Sequence, residues 1–217
     1  MSHTRSILLV RHGESLANAG EASPSPETVP LTPTGERQAH AVAESLAEAP
    51  ELIVVSRFQR ARQTAEPTHT RFPKVKLEQW PVEEFHYLGA EAYRGTTKRE
   101  RRDDRDDYWR TGDPQLACAP GAETFVAFHA RVHAVRERLE RAAARRIVVF
   151  SHKKLLHGLL WSWSEGQPPA DAQAMARFRA FDLEHPFPNG AWIEVELDGT
   201  KARAGKLHRK HLDRIEA

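Results

Sequence analysis

The sequence predicts an α/β fold with three α/β/α layers and a mostly parallel central sheet. Three short apolar runs, "SILLVR", "ELIVVS" and "RIVVFS", indicate buried strands because each is rich in Ile, Leu or Val and ends at polar residues. Segments with apolar residues at helical spacing lie between these runs. Strands that alternate with helices favour a parallel sheet covered by helices on both faces.

The N-terminal half supplies three strands and two helices. After "SILLVR", the Pro- and Ser-rich stretch "GEASPSPETVPLTPTG" is a loop, and "PTGERQAHAVAESLAEA" predicts a long helix. "ELIVVS" is the second strand, and "RFQRARQTAEPTHTRF" predicts a short helix that ends near Pro67. "KVKLEQW" predicts a third, half-buried strand.

The C-terminal half begins with a stretch of no clear periodicity, from about Pro81 to Pro120. Its run "KRERRDDRDDYWR" is typical of a solvated helix with opposite charges one turn apart. "ETFVAFHARVHAVRERLERAAA" has the clearest helical spacing in the chain. The strand "RIVVFSH", the apolar helix "KLLHGLLWSW" and the alternating strand "AWIEVELDG" follow.

Length and composition set the broad class. The 217 residues, 40% hydrophobic and 29% charged, predict one domain over 1–217 with an insertion at about 81–120. A net charge of +2 gives no sign of nucleic-acid binding. No apolar stretch is long enough for a membrane span, and the first apolar run is too short for a signal peptide. The single Cys118 excludes an internal disulfide framework, so we expect a cytoplasmic protein.

Polar residues gather at the ends of the buried strands. The first strand ends in Arg11 and His12, the second is followed by Arg60, and the strand "RIVVFS" leads into His152. Ligands of open α/β sheets bind outside the carboxyl ends of the strands, so these side chains should meet in one crevice. Such a cationic pocket suits phosphate, and Gly13 lets the backbone turn tightly beside it.

Four segments resemble the histidine phosphatase superfamily, also called phosphoglycerate mutase-like. They are "RHGES", "LTPTGERQA", "SRFQRARQTAE" and "VVFSH", and they occur in the family's order between about Ile7 and Leu160. The resemblance implies the family's α/β/α architecture, with a cap insertion over the crevice at the carboxyl ends of the strands. The segment 81–120 would be that cap, and in this family it sets substrate choice.

The resemblance also implies a mechanism. His12 would be the nucleophile that takes the phosphoryl group, with a backbone carbonyl near Gly13 holding its other ring nitrogen. Arg11, Arg60 and His152 would hold the phosphoryl oxygens, and Asn18 occupies the position of a further phosphate contact. With that many positive groups, we expect neither a metal ion nor another cofactor.

The proton for the leaving group would come from a carboxylate. The stretch "WPVEEFHYLG" offers Glu83 and Glu84. The resemblance to a phosphatase branch, in which the acid precedes Phe, favours Glu84. Glu83 would then be an ordinary loop carboxylate.

The chain departs from the family pattern at two places. A glycine commonly follows the second histidine, but here Lys153 and Lys154 follow it. Lys153 is a candidate contact to a second anionic group of the substrate, although we favour both lysines pointing into solvent. Mutases usually carry Trp just before the family asparagine, where this chain has Ala17, and their long insertion is missing.

These features favour a metal-independent phosphatase that hydrolyses a phosphate monoester, either a small metabolite or a phosphorylated protein. A phosphoglycerate-type mutase and a non-catalytic phospholigand-binding protein remain alternatives. No glycine-rich phosphate loop with its lysine and no G-x-S-x-G elbow occurs, which disfavours kinases and serine hydrolases. The sequence does not identify the substrate or the oligomeric state.

Overall fold

The computed structural model describes residues 4–215, so residues 1–3 and 216–217 of the predicted domain lie outside the described part. Six strands form one sheet in the order β3-β2-β4-β1-β5-β6. The strands are β1 (Arg5–Arg11), β2 (Leu52–Val55), β3 (Lys76–Gln79), β4 (Arg146–Ser151), β5 (Trp192–Asp198) and β6 (Lys201–His208). The helices are α1 (Pro33–Ser45), α2 (Gln59–Arg71), α3 (Ala90–Tyr93), α4 (Arg102–Thr111), α5 (Phe125–Arg141), α6 (Lys153–Glu165) and α7 (Ala172–Glu184), with a short 3₁₀ turn at Lys210–Leu212.

The sheet is mostly parallel, as predicted. The strands β1 to β4 pair in parallel, whereas β5 runs antiparallel to β1, and β6 runs antiparallel to β5. Parallel strands place their carboxyl ends at one edge of the sheet. The predicted α/β class is therefore confirmed, and the ends of β1, β2 and β4 lie together.

Helices cover both faces of the sheet. Side chains alternate across a strand, so Val10 of β1 packs with α1 and α2 while Leu9 faces the other side. There the larger core holds residues of α5, α6 and α7, such as Val132 and Leu155. Within residues 4–215, no helix is both long and apolar enough to cross a bilayer.

One predicted boundary is wrong: α2 does not end near Pro67 but continues to Arg71. Pro67 lacks the N–H that would bond to the carbonyl four residues earlier, which normally disfavours a helix interior. Ala65 and Thr68, on either side of Pro67, are buried, so packing holds the last turn in place. The elements α7 and β6 were not predicted; α7 is rich in Ala, and β6 is exposed at most positions.

The segment 81–120 contains α3 and α4, and α4 confirms the helix expected in the charged run. Its aromatic residues pack into the larger core instead of lining an open wall. Phe85 stacks on Phe128 of α5 with ring centroids 4.3 Å apart, and Tyr108 of α4 is 1% exposed. Aromatic packing of this kind fixes the segment to the body of the protein.

The turn after β1 is locked to the start of α1. Thr32 caps α1 by accepting a hydrogen bond from the Gly35 amide at 3.0 Å, and Gln38 accepts one from the Glu14 amide at 2.8 Å. A Cβ on Gly13 would lie 2.4 Å from the Gly35 oxygen, and one on Gly35 would lie 2.0 Å from the Glu14 oxygen. Both positions therefore need glycine because two backbone segments touch there.

Replacing Gly35 by alanine is expected to lower the free energy of unfolding by about 1–3 kcal/mol or more, because the new methyl group must push two backbone segments apart. Urea unfolding measures the change. Glu36→Ala, at an exposed position in the same turn, is the matched control and should unfold like the wild type. Equal stability of the Gly35 variant and this control would contradict the close contact.

Candidate active site

The predicted site residues meet at the carboxyl edge of the sheet. Arg11 and His12 lie at the end of β1, His152 directly follows β4, and Arg60 is in the first turn of α2. The rings of His12 and His152 are 5.0 Å apart between centroids. Two histidines and two arginines from three strand ends thus lie together at the edge where the sequence predicts the crevice.

The hydrogen bonds of His12 define its tautomer. Its Nδ1 lies 2.7 Å from the carbonyl oxygen of Gly13, which can only accept, so Nδ1 carries the proton. The Nε of Arg60 donates to Nε2 of His12 at 3.2 Å, so Nε2 presents its lone pair. The contact to the Gly13 carbonyl is the one expected from the sequence, and it leaves Nε2 without a proton.

His12 is held in its neutral form. Burial is the main cause that puts its pKa well below 6.5, and the positive charges of Arg60 and Arg11 lower the pKa further. An unprotonated ring nitrogen is what nucleophilic attack requires. Burial and the surrounding arginines thus keep His12 unprotonated at neutral pH.

Two buried polar atoms at the crevice have no hydrogen-bond partner among residues 4–215: Nε of Arg11 and Nδ1 of His152. Ser56 Oγ lies 2.9 Å from Nε2 of His152 and accepts from the Phe58 amide at 3.3 Å. In the tautomer of His152 in which Ser56 donates to Nε2, Nδ1 is a donor. Buried donors without partners carry a desolvation cost, which an oxyanion in the crevice would relieve.

The guanidinium of Arg60 is held in place by a backbone carbonyl and an aromatic ring. Its Nη1 donates to the Pro26 carbonyl at 2.6 Å, and its guanidinium lies 5.0 Å from the centroid of the Phe58 ring. Burial lowers the pKa of Arg60 to about 10, so it stays charged at neutral pH.

In the described part of the chain, no group of three or more His, Cys, Asp and Glu residues is arranged to hold a metal ion.

Asn18 is linked to the backbone of His12 by hydrogen bonds that its side-chain oxygen accepts, with Asn189 as the connecting residue. Asn18 Oδ1 accepts from Ser15 Oγ at 2.9 Å and from Asn189 Nδ2 at 3.1 Å, which leaves its amide nitrogen as the donor for a ligand. Asn189 also donates to the His12 carbonyl at 3.0 Å. Sequence reasoning did not identify Asn189, which lies in a loop before β5 and outside the four motifs.

The two candidate carboxylates lie in different surroundings. Oε1 of Glu84 accepts from the amides of Phe85 and Lys154, each at 3.0 Å, and the Glu84 charge acts on both Arg11 and Arg60. Glu83 instead faces Arg57, whose Nε lies 3.6 Å from its Oε1. Of the two, Glu84 is therefore the one within the electrostatic reach of Arg11 and Arg60.

The expectation that Lys153 and Lys154 point into solvent is wrong. Their side chains are only 26% and 19% exposed. Lys153 Nζ donates to the backbone oxygen of Asp182 at 2.8 Å, and the Asp182 carboxylate lies within 4.0 Å of both lysines. Sequence reasoning missed Asp182, since α7, which carries it, was not predicted and nothing local marks this Asp as buried.

We expect the free energy of unfolding to decrease as the pH is lowered from about 6 to about 5. Burial keeps the pKa values of His12 and His152 well below 6.5 in the folded state, whereas in the unfolded chain both protonate near 6.5. The unfolded state then binds more protons, and each site costs about 1.4 kcal/mol per pH unit. In urea titrations, His152→Asn should flatten this slope by about that amount; parallel curves would contradict a neutral His152.

Known proteins resemble the chain over most of its length. It is 41% identical, over 90% of this chain and 93% of the other, to the protein named "Probable phosphoglycerate mutase GpmB" from Yersinia enterocolitica. It is 29% identical, over 88% of this chain and 90% of the other, to the adenosylcobalamin/alpha-ribazole phosphatase of Escherichia coli K12. The crystal structure of the alpha-ribazole phosphatase from Shigella flexneri shares the fold, with a TM-score of 0.72 at 24% identity over 94% of this chain and 96% of that one.

The family model for the histidine phosphatase superfamily (branch 1) matches residues 7–206. That range includes His12, His152, Arg11 and Arg60 as well as both candidate glutamates. The match and the relatives bear out the resemblance carried by the four motifs. The chain belongs to the histidine phosphatase superfamily.

Proposed function

We propose that the chain is a metal-independent phosphatase that hydrolyses a phosphate monoester through a phosphohistidine on His12. One observation carries the proposal: a neutral imidazole presents its Nε2 lone pair among Arg11, Arg60 and the unpaired Nδ1 of His152. A nucleophile surrounded by donors for three oxygens matches the transferring phosphoryl group.

In the first step, Nε2 of His12 attacks phosphorus and the ester P–O bond breaks. Arg11, Arg60 and His152 hold the non-bridging oxygens, and the Asn18 amide donates to one of them. Glu84 gives its proton to the departing oxygen, so the alcohol leaves neutral. Positioning of this kind can lower the barrier by about 7–11 kcal/mol in well-aligned systems.

In the second step, water attacks the phosphorus of phosphohistidine. Glu84, now a carboxylate, takes a proton from that water, and the P–N bond breaks. Inorganic phosphate leaves, and His12 returns to its neutral form. The arginines supply the positive charge that a metal ion supplies in other phosphatases.

The proposal extends to the setting of the reaction. We place the chain in the cytoplasm as one domain over 1–217, with 81–120 as a cap-like insertion. Its partner is a small phosphorylated substrate or a phosphoprotein, and not a nucleic acid or a membrane.

Phosphate release from para-nitrophenyl phosphate with chelator present tests the proposed metal-independent hydrolysis. Activity that disappears with chelator and returns with a divalent metal would contradict it.

The second candidate is a phosphoglycerate-type mutase, because the 41% identical relative bears that name. Ala17, where mutases usually carry Trp, and the missing long insertion favour the phosphatase. The two functions differ in the fate of phosphohistidine, which a mutase returns to a second hydroxyl group. With 3-phosphoglycerate as substrate, a phosphatase releases inorganic phosphate, whereas a mutase forms 2-phosphoglycerate faster than it releases phosphate.

A further inference from the structure

The two asparagines of the chain lie against each other at the candidate active site. Among the 217 residues, asparagine occurs only at positions 18 and 189. Nδ2 of Asn189 donates to Oδ1 of Asn18 at 3.1 Å, across 171 positions of sequence. Asn18 follows β1, and Asn189 precedes β5. The contact therefore brings a side chain from the C-terminal part of the chain onto the loop that follows the first strand.

Two backbone carbonyls fix which way the Asn189 amide faces. Its Nδ2 lies 3.0 Å from the His12 oxygen and 3.3 Å from the Gly13 oxygen. A carbonyl oxygen only accepts hydrogen bonds, so the atom that faces both carbonyls must be the amide nitrogen. A reversed amide would place its own oxygen against two others. The backbone at His12 and Gly13 therefore makes Asn189 a donor.

The orientation of Asn189 in turn selects the orientation of Asn18. Because Asn189 offers an N–H group, the Asn18 atom that meets it must be Oδ1, the acceptor. The Ser15 amide also donates to this oxygen, at the longer distance of 3.3 Å. The Ser15 hydroxyl, 2.9 Å away, fits either orientation because a hydroxyl both donates and accepts. Asn189 thus makes the shorter of the two contacts that require an oxygen at this position.

The nitrogen of the Asn18 amide is left for a ligand. Among residues 4–215, Nδ2 of Asn18 forms no hydrogen bond, whereas Oδ1 accepts three. In the proposed mechanism this nitrogen donates to a phosphoryl oxygen. With the amide reversed, an oxygen would face that oxygen, and neither could donate to the other. Binding of phosphate therefore depends on which atom of Asn18 faces the crevice.

The loop that carries Asn189 is tied to the end of β1. Two prolines restrict the backbone of its sequence "HPFPNG". The Gly190 amide donates to the carbonyls of Arg11 and His12, at 3.1 and 3.2 Å. The Gly190 carbonyl accepts from Nε2 of His211 at 2.9 Å. Asn189 therefore comes from a fixed loop, which a side chain that orients another one requires.

Removal of the Asn189 side chain leaves the neighbouring carbonyls with other donors. The Gly13 oxygen still accepts from Nδ1 of His12, and the His12 oxygen still accepts from the Gly190 amide. The tautomer of His12 is then preserved. Asn18, in contrast, loses the shorter contact that defines its orientation. A change at Asn189 should therefore affect phosphate binding and turnover mainly through Asn18.

We propose that Asn189 is a positioning residue, which turns the amide of Asn18 so that its N–H groups face the phosphoryl group. The inference rests on the proposed function, because Asn18 is the phosphate contact through which Asn189 acts. Asn189 itself does not touch the substrate. It adds to the site a residue that lies outside all four sequence motifs.

A double-mutant cycle tests whether Asn189 acts through Asn18. With para-nitrophenyl phosphate, we expect Asn18→Ala to lower kcat/KM by about 10²-fold, as is typical for one lost donor to the transition state. Asn189→Ala should lower it by about 10-fold, because Ser15 retains part of the orientation. In the Asn18→Ala background, Asn189→Ala should cost less than about threefold, since no amide remains to be oriented. Similar losses in both backgrounds would overturn the proposal.

Asn189→Asp tests the direction of the Asn18 amide. A carboxylate only accepts, so it should bind the Asn18 nitrogen and turn the oxygen of Asn18 toward the phosphoryl group. We expect kcat/KM to be about 10-fold lower than in Asn189→Ala. The new negative charge also weakens phosphate binding, and the Asn18→Ala background measures that effect alone. The same ratio of Asp to Ala variants in both backgrounds would contradict the reversal of the amide.

Pro186→Ala is the matched control for the loop, because Pro186 is exposed and lies three positions before Asn189. It should keep kcat/KM at nearly the wild-type value. A loss equal to that of Asn189→Ala would mean that any disturbance of the loop is sufficient, and it would reject the specific role of the Asn189 side chain.

The rarity of asparagine permits a measurement that does not depend on turnover. In protein labelled with ¹⁵N only at asparagine, NMR spectra should show two side-chain amide groups, one of them lost in Asn189→Ala. Inorganic phosphate should shift the Asn18 amide of the wild type, and its Kd should be about 3- to 10-fold higher in Asn189→Ala.

The NMR titration also separates this proposal from the proposed function. The positioning role fails if phosphate leaves the Asn18 amide of the wild type unshifted, or if it shifts that amide with the same Kd in Asn189→Ala. Failure to hydrolyse para-nitrophenyl phosphate, while phosphate still shifts Asn18 as expected, would reject the proposed function alone.

Discussion

Replacing His12 by alanine is expected to lower kcat for a phosphate monoester by about 10⁴- to 10⁶-fold, the range typical for loss of an enzymatic nucleophile. Without the imidazole no phosphohistidine can form, and the remaining donors can only bind and orient the substrate. Phosphate release from para-nitrophenyl phosphate measures the loss. This is the largest effect of any single change, because both chemical steps pass through Nε2.

The variant needs a stability control because His12 is only 4% exposed and bonds to Gly13 and Arg60. Its loss leaves buried partners unsatisfied, at a cost of about 1–3 kcal/mol, so the variant should fold but melt earlier. A circular dichroism melt separates this effect from lost chemistry. A folded His12→Ala protein that keeps wild-type turnover would reject His12 as the nucleophile.

The covalent intermediate provides a second, independent measurement. Rapid acid-free quenching during turnover should trap a phosphoryl group that is labile in acid and stable in base, as expected for phosphohistidine. Mass spectrometry of the digested protein should place the group on the peptide that contains His12. An adduct on another residue, or none during steady turnover, would contradict the proposed mechanism.

The sequence predicted which side chains meet at the carboxyl edge of the sheet better than it predicted their surroundings, because these side chains follow the ends of strands. A strand that stops at a polar pair is visible in the sequence, so Arg11, His12 and His152 were identified together with Arg60. Asn189 and Asp182 were missed, because each reaches the site from a distant segment and has no local signal. Asn189 contacts the His12 carbonyl across 177 positions of sequence, and such contacts depend on the tertiary fold.

The fold shows the same division. Strands of four to seven residues with continuous Ile, Leu and Val were found because full burial leaves a strong pattern. The end of α2 was predicted wrongly because burial of Ala65 and Thr68 outweighs the hydrogen bond that Pro67 cannot donate. The orientation of Lys153 and Lys154 was misjudged for a related reason: a buried carboxylate on α7 binds side chains that usually seek water.

Glu84→Gln is expected to lower kcat/KM, which reports formation of the phosphohistidine, by about 10²- to 10⁴-fold for esters of poor leaving groups and much less for activated aryl esters. Glutamine keeps the side-chain shape and can still accept the Phe85 and Lys154 amides, but it has no proton to give to an alkoxide. A nitrophenolate leaves without that proton, so its P–O bond breaks at nearly the wild-type rate. Burst kinetics with para-nitrophenyl phosphate should then show fast formation and slow hydrolysis of the phosphohistidine, since Glu84 also activates the water.

Glu83→Gln is the matched control, because it changes the adjacent carboxylate in the same way. Glu83 lies against Arg57, whose side chain is 53% exposed, whereas that of Glu83 is 15% exposed. A glutamine at position 83 can keep the hydrogen bond that Glu83 accepts from the Arg57 amide at 3.4 Å. Its substitution should leave both classes of ester at nearly wild-type rates. The assignment of Glu84 fails if the two variants exchange these patterns, or if Glu84→Gln lowers kcat/KM equally for both classes, because a proton donor must discriminate between leaving groups by their basicity.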